Sequence, residues 1–154
     1  MPASSYKLTS LGLPVFTPSL LFGIAEGGLL PIIPASAQAL GASLPTAGII
    51  LGLVMIGTLF ADIPAARLIN ILGERKAMMS AAAVASLGTL IASLATSLWV
   101  LGLGVFILGA SVAVFGLARH SYLTEVVPYS HRARALSILG GVFRAGHFIG
   151  PLIG

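Results

Sequence analysis

Charged residues divide this chain into long apolar runs. No Asp, Glu, Lys or Arg occurs over residues 27–61, or over residues 77–118, a run of 42 residues. A helix needs about 20 mostly apolar residues to cross the hydrocarbon core of a bilayer. The GAS-LP segment at 41–45 and the TSLW segment at 96–99 break these runs. The pattern therefore predicts an all-α integral membrane protein with spans at approximately 14–37, 45–70, 77–96, 99–125 and 134–154.

The composition supports lipid as the surrounding solvent. The chain is 57% hydrophobic and 8% charged, with a mean hydropathy of +1.07, whereas soluble domains carry about 25% charged residues. The eight Lys and Arg residues form no stripe that could follow a phosphate backbone, so we expect no nucleic-acid partner.

Sequence patterns of enzymes and metal sites are missing. His120, His131 and His147 lack the spacing of zinc ligands, and there is no cysteine. Neither a phosphate-binding loop, a dinucleotide fingerprint nor a nucleophile elbow occurs. We therefore expect neither enzymatic activity nor a cofactor.

The positions of the cations predict the orientation. Lys7 precedes the first span and Arg144 lies inside span five, while the other six cations lie around two junctions, 2–3 and 4–5: Arg67, Arg75, Lys76, Arg119, Arg132 and Arg134. Basic connections face the cytoplasm. We expect a multi-pass protein of the plasma membrane, with a cytoplasmic N-terminal segment (1–13) before a transmembrane region (14–154).

Two charges lie deep in the predicted spans. Glu26 is about 12 residues into span one and Arg144 about 10 residues into span five, so both lie roughly 15–18 Å deep. A charge at mid-helix costs about 2.5–3.5 kcal/mol on insertion scales. We hypothesise that the two pair or share a water-filled cavity, where Glu26 could carry a coupling proton. The alternative is a static ion pair that fixes helix register.

A second pair of charges lies farther along the spans. Asp62 and Arg119 are each 17 to 20 residues into outward-to-inward spans, near the predicted cytoplasmic interface. Long side chains snorkel cheaply there. We expect these two residues to brace neighbouring helices.

Glycines at four-residue spacing predict close helix contacts, because small residues let helix backbones approach in lipid. Such spacing occurs at Gly23 and Gly27, at Gly48 and Gly52, and at Gly146, Gly150 and Gly154. In span five the three glycines share one face, and we expect Arg144, His147 and Pro151 on a neighbouring face turned toward a cavity.

Residues 66–76, ARLINILGERK, resemble the signature between helices two and three of the major facilitator superfamily (MFS), G-x-L-a-D-R-x-G-R-R. Leu68, Gly73 and Arg75 match, and Lys76 extends the basic end. Asn70 stands in place of the acidic residue that, in the family, helps to lock the cytoplasmic gate. The resemblance assigns this segment, with Asp62, to gate control.

Two further patterns are similar to family signatures. Glu125, Pro128 and Arg132 fit an acidic-x-x-Pro-x-x-x-Arg pattern at the inner end of helix four, where they would brace neighbouring helix ends with Arg119. In span five, glycines and a proline fit the pattern G-x-x-x-G-P-x-x-G-G of antiporter branches: Gly146, Gly150, Pro151 and Gly154.

The resemblance implies a secondary transporter of twelve helices in two halves, with cargo held between the halves. The chain would then be about five helices of the six-helix N-terminal half, ending within helix five, with the C-terminal half missing. The antiporter pattern implies proton-driven efflux of a small, drug-like molecule. However, the arginine that proton-linked exporters often carry in helix four would fall near Val105, and this chain lacks it.

The length leaves three interpretations open. The chain is a partial sequence of a full transporter, an inactive truncated gene product, or a small membrane module that self-associates through its glycine faces. The first is favoured, and the third is the least favoured, because span five stops with no polar anchor after it.

Overall fold

The computed structural model describes residues 15–153, which form five helices and no strand. The helices are α1 (Thr17–Ala39), α2 (Leu44–Leu72), α3 (Glu74–Ser93), α4 (Leu98–Val126) and α5 (Tyr129–Ile153). Each of the five is long and apolar enough to cross a membrane. The expected all-helical membrane fold is confirmed. Residues 1–14, which include the expected N-terminal segment 1–13 with Lys7, and the final Gly154 lie outside the described residues.

Two helices begin earlier than hydropathy predicts. α3 starts at Glu74 rather than residue 77, and α5 starts at Tyr129 rather than residue 134. Gly73 alone separates α2 from α3, while Val127 and Pro128 separate α4 from α5. Hydropathy locates the residue at which a chain leaves the hydrocarbon core. A helix continues past that point until a residue such as glycine or proline ends it. The charged junctions are therefore largely helical.

The connection from α1 to α2 is a short turn with defined caps. Gly41 has a positive φ of 86°, which glycine adopts without the steric penalty of a side chain. The Ser43 hydroxyl then accepts a hydrogen bond from the N–H of Thr46 at 3.4 Å, which caps the start of α2. Pro45 lies in the first turn, where its missing N–H costs nothing.

The described residues form two compact units, one of residues 15–29 and 119–153 and the other of residues 30–118. In the second unit, helices α2 and α4 meet through small residues. A Cβ atom on Gly57 would lie 3.0 Å from the backbone nitrogen of Ala110. Beside it, the Thr58 hydroxyl donates to the carbonyl oxygen of Gly109 at 3.0 Å. Polar bonds of this kind join membrane helices where lipid supplies no competing water.

In the first unit, α1 and α5 cross with their backbones in contact. A Cβ atom on Gly23 would lie 2.6 Å from the carbonyl oxygen of Phe143, and one on Gly146 would lie 2.9 Å from the nitrogen of Ile24. A Cβ on Gly150 would collide with the backbone of Ile24 and Gly28. Only glycine fits at these positions. By contrast, nothing lies within 4 Å of a Cβ built on Gly48 or Gly52, so a side chain would fit at either position.

A small apolar core closes the basic end of the first unit. It joins the start of α1, the end of α4 and the start of α5 through five fully or almost fully buried residues: Val15, Leu123, Val127, Ala135 and Leu139. Such contacts give the van der Waals packing on which helix association in lipid depends. The unit is thus held by this core at one end and by the glycine crossing farther along α1 and α5.

Gly150→Ala should destabilise the protein, because the added methyl group would collide with backbone atoms that cannot rotate away. Overpacking of this kind costs about 1–3 kcal/mol. The free energy of unfolding, measured by a denaturant titration in detergent and followed by circular dichroism, should fall by that amount. Gly48→Ala is the matched control and should cause no loss, because its site is open. Equal effects of the two substitutions would contradict the backbone contact.

Candidate functional site

The glycine crossing places an acid beside a histidine. Oε2 of Glu26 on α1 lies 3.7 Å from Nε2 of His147 on α5. Glu26 is buried, with 9% of its surface exposed. The next residue, Gly27, explains the approach, since a Cβ there would lie 2.7 Å from the Cα of His147. The side chains are neighbours because the two backbones touch beside them.

The Glu26–His147 contact is too long for a direct hydrogen bond. A charge-assisted hydrogen bond spans about 2.7–2.9 Å, and the separation here is 3.7 Å. Oε2 of Glu26 and Nδ1 of His147 are both buried and have no hydrogen-bond partner among the described residues. Buried polar atoms in native proteins usually have partners, so such exceptions call for a functional or solvent-related explanation. This pair keeps hydrogen-bonding capacity for another group.

Arg119 and Phe143 complete the site. Arg119, near the end of α4, is only 7% exposed, and its guanidinium carbon lies 3.8 Å from the centroid of the Phe143 ring. The same ring lies 4.7 Å, centroid to centroid, from the imidazole of His147. Arg119 and Glu26 are also within range of Coulombic attraction. We call these four residues, Glu26, Arg119, Phe143 and His147, the Glu26 cluster.

Arg119 was expected to snorkel near the interface and to brace neighbouring helices; its side chain is instead buried against Phe143 of α5, and its depth in the membrane stays a prediction. α4 runs on to Val126, so Arg119 lies seven residues, roughly 10 Å, inside the helix end. Its side chain packs on an aromatic ring instead of reaching outward, and a cation over a ring face is attracted by the quadrupole of the ring. Asp62, its expected companion, is exposed on α2. Counting residues from the start of the predicted span indicates how far along the helix Arg119 lies, but not the direction in which its side chain points.

The expected pairing of Glu26 with Arg144 is not formed. Glu26 instead faces His147, and Arg144 is exposed. Helical phase explains the difference, because at about 100° per residue Arg144 lies roughly 140° from the centre of the Gly146–Gly150 face and His147 only about 80°. The crossing therefore turns Arg144 away and brings His147 in. The angular positions of Arg144 and His147 relative to Gly146 and Gly150 could have predicted the contact with His147 from the sequence.

The 2–3 junction depends on Gly73. Its φ of 78° and ψ of 157° belong to a region that is essentially restricted to glycine. Its N–H donates to the carbonyl oxygen of Ile69 at 2.8 Å and closes the last turn of α2. Of the other candidate gate residues, Leu68 is half-buried, while three polar residues are exposed: Asn70, Arg75 and Lys76.

The 4–5 junction is braced by an arginine and a carbonyl group. Nε of Arg132 donates to the carbonyl oxygen of Val127 at 3.0 Å, across Pro128. Its guanidinium carbon also lies 5.8 Å from the ring centroid of Tyr129. Glu125 is exposed and forms no ion pair among the described residues. The stabilising partner of Arg132 is thus the backbone. Farther along α5, Pro151 is exposed and lies within the helix.

Five membrane-length helices define a multi-pass membrane protein, and a charged cluster is buried within its described residues. The sequence model of the Major Facilitator Superfamily matches residues 15–154. The chain belongs to this superfamily, whose members are transporters and not enzymes. No curated protein shows significant similarity to the chain.

Gly73→Ala should destabilise the 2–3 junction, because the φ and ψ values at this position strain any residue with a side chain. Such strain costs about 1–3 kcal/mol. Thermal unfolding in detergent should shift to lower temperature, and proteolysis between Arg75 and Lys76 should become faster. Gly52→Ala, at an open helical position, is the control. An unchanged unfolding temperature in Gly73→Ala would rule out the strained turn.

Proposed function

We propose that this chain is part of a secondary transporter that moves a small molecule out of the cell in exchange for protons, and that Glu26 binds the exchanged proton. The observation that carries the proposal is the buried Glu26 carboxylate, 3.7 Å from the His147 imidazole inside the membrane helices. Charge at this depth costs free energy, so charged groups inside membrane helices mark ion and substrate paths.

The Glu26 cluster contains one fixed charge, a carboxylate and an imidazole. The guanidinium of Arg119 remains protonated at every physiological pH. The closest atoms of the Glu26 carboxylate and the His147 imidazole are only 3.7 Å apart. An arriving proton that binds Oε2 of Glu26 removes the negative charge that holds His147 and Arg119. Proton release restores this charge and the attraction with it.

Exchange with cargo follows from competition for the carboxylate. Oε2 of Glu26 has no hydrogen-bond partner among the described residues, so it is able to accept one from a cargo molecule. A donor group on the cargo and a proton would then exclude each other from the same oxygen. Mutual exclusion of this kind is the minimum requirement for exchange. The alternative role for the pair is a static contact that fixes the register of α1 against α5.

The direction of transport, the orientation in the membrane and the partner of the chain are proposed from patterns in the sequence. The pattern of Gly146, Gly150 and Pro151 in α5 supports efflux. Cations at the 2–3 and 4–5 junctions support a cytoplasmic N-terminus in the plasma membrane. Alternating access requires two helical halves that rock against each other. We therefore propose a second helical half as the partner, with cargo held between the halves and Arg144 as a candidate contact.

Glu26→Gln should abolish proton coupling and retain cargo exchange. Glutamine preserves the size and hydrogen bonding of the side chain but cannot release a proton at physiological pH. In inverted vesicles from cells that express the native gene, transport of ethidium driven by an imposed pH gradient should fall at least tenfold. Exchange of ethidium at equal pH should continue. Glu125→Gln, the same chemical change at an exposed acid, should leave both rates unchanged.

Different results would reject different parts of the proposal. Gradient-driven transport that persists in Glu26→Gln would assign the Glu26–His147 contact to structure alone. Loss of both coupled transport and exchange, together with a lower free energy of unfolding, would also favour the static role. Absence of transport of any tested compound by the unmodified protein would favour a membrane module without transport activity.

A further inference from the structure

A groove in the second unit lies between α2, α3 and α4, and it shares no residue with the Glu26 cluster. Its volume is about 420 Å³. Pro64 and Leu68 of α2, Val84 of α3 and Val114 of α4 line it. Ile71 and Val84, both lining residues, are 80% and 43% exposed, so the groove is open at the side of the helices.

The walls of the groove are apolar despite two serines. The Ser80 hydroxyl donates to the carbonyl oxygen of Ala77 at 2.9 Å. The Ser111 hydroxyl donates in the same way to the carbonyl oxygen of Ile107 at 2.9 Å. Each hydroxyl hydrogen is therefore used within its own helix, and the space between the helices is bounded mainly by carbon. Such a space suits a hydrocarbon chain and gives a polar cargo few partners.

Arg67 is the one charged residue among those that line the groove. It lies five residues, roughly 7.5 Å, before the end of α2. It is exposed and forms no ion pair with a carboxylate among the described residues. The exposed cations Arg75 and Lys76 follow at the same junction. The apolar groove thus has Arg67 at the end where the basic residues of the 2–3 junction lie.

We propose that this groove binds an anionic phospholipid, with an acyl chain along the apolar walls and the phosphate group at Arg67. The side opening gives access to lipid, which surrounds a multi-pass protein on every side. Basic positions at the end of membrane helices attract anionic headgroups. Arginine also suits a phosphate group, because its planar fork donates two parallel hydrogen bonds. A zwitterionic lipid such as phosphatidylcholine also has a phosphate group, but its choline cation neutralises that charge, so it attracts Arg67 and the neighbouring cations less strongly than an anionic lipid does.

Trp99 is the only tryptophan of the chain, so one fluorescent reporter can be placed in the groove. The double substitution Trp99→Phe and Val84→Trp moves that reporter to a partly exposed lining position. The full chain is reconstituted in phosphatidylcholine vesicles that contain a small fraction of phosphatidylglycerol with brominated acyl chains. Bromine quenches tryptophan fluorescence on contact. Brominated phosphatidylglycerol should quench at several-fold lower mole fraction than brominated phosphatidylcholine.

The preference should depend on one cation. Arg67→Gln in the reporter background should reduce the ratio of the two quenching fractions to near one, and Arg67→Lys should retain part of it. Arg134→Gln, at an exposed cation on α5, is the matched control and should retain the full ratio. Soluble glycerol phosphate should not relieve the quenching, because it has no acyl chain to occupy the groove.

Three results would overturn the proposal. These are equal quenching by the two lipids, a preference that survives Arg67→Gln, and full relief of quenching by glycerol phosphate. If the reporter variant fails to fold, native mass spectrometry of the unmodified chain gives the same decision. Retained phosphatidylglycerol should be counted in the unmodified chain, Arg67→Gln and Arg134→Gln, and equal retention in all three would reject the site.

Discussion

The contact of α1 with α5 through glycine determines where the polar groups of the first unit lie. Helix association in lipid lacks the hydrophobic driving force that operates in water, so it depends on close van der Waals approach. Gly23, Gly146 and Gly150 allow that approach because a Cβ at any of them would meet backbone atoms of the other helix. Glu26 precedes one contact residue, Gly27, and His147 follows another, Gly146. Their meeting is a consequence of backbone packing and does not require a strong ionic attraction.

Phe143 connects this packing to the charge of Arg119. Its backbone lies against Gly23, while its ring lies 3.8 Å from the guanidinium carbon and 4.7 Å from the His147 ring centroid. One residue thus belongs to both the crossing and the Glu26 cluster. A buried charge is costly unless it is compensated, and the Phe143 ring and Glu26 both contribute to that compensation for Arg119. The cluster therefore depends on the glycines even for the residue that α4 contributes.

The sequence was sufficient to predict the helices and the family, since both depend on the order of residues along the chain. Uncharged runs separated five spans, and the junction around Gly73 resembled a family signature. The partners of the charges depend on direction around each helix, which hydropathy does not report. Arg119 was placed at the interface from its depth alone. Arg144 was paired with Glu26 in place of His147, because the sequence put both residues on the polar side of α5 and did not distinguish between them. Early helix starts at Glu74 and Tyr129 were missed for a related reason, since charged residues end an apolar run without ending a helix.

The geometry also limits how protonation of Glu26 could act. Closing the gap of 3.7 Å to a hydrogen bond of about 2.8 Å requires a shift of roughly 0.9 Å. Side-chain rotation supplies such a shift, whereas the backbones of α1 and α5 are already in contact and cannot move closer. Protonation of Glu26 would therefore change the charge between α1 and α5 much more than the positions of the two helices. A larger motion would then have to be driven by other groups that respond to this charge.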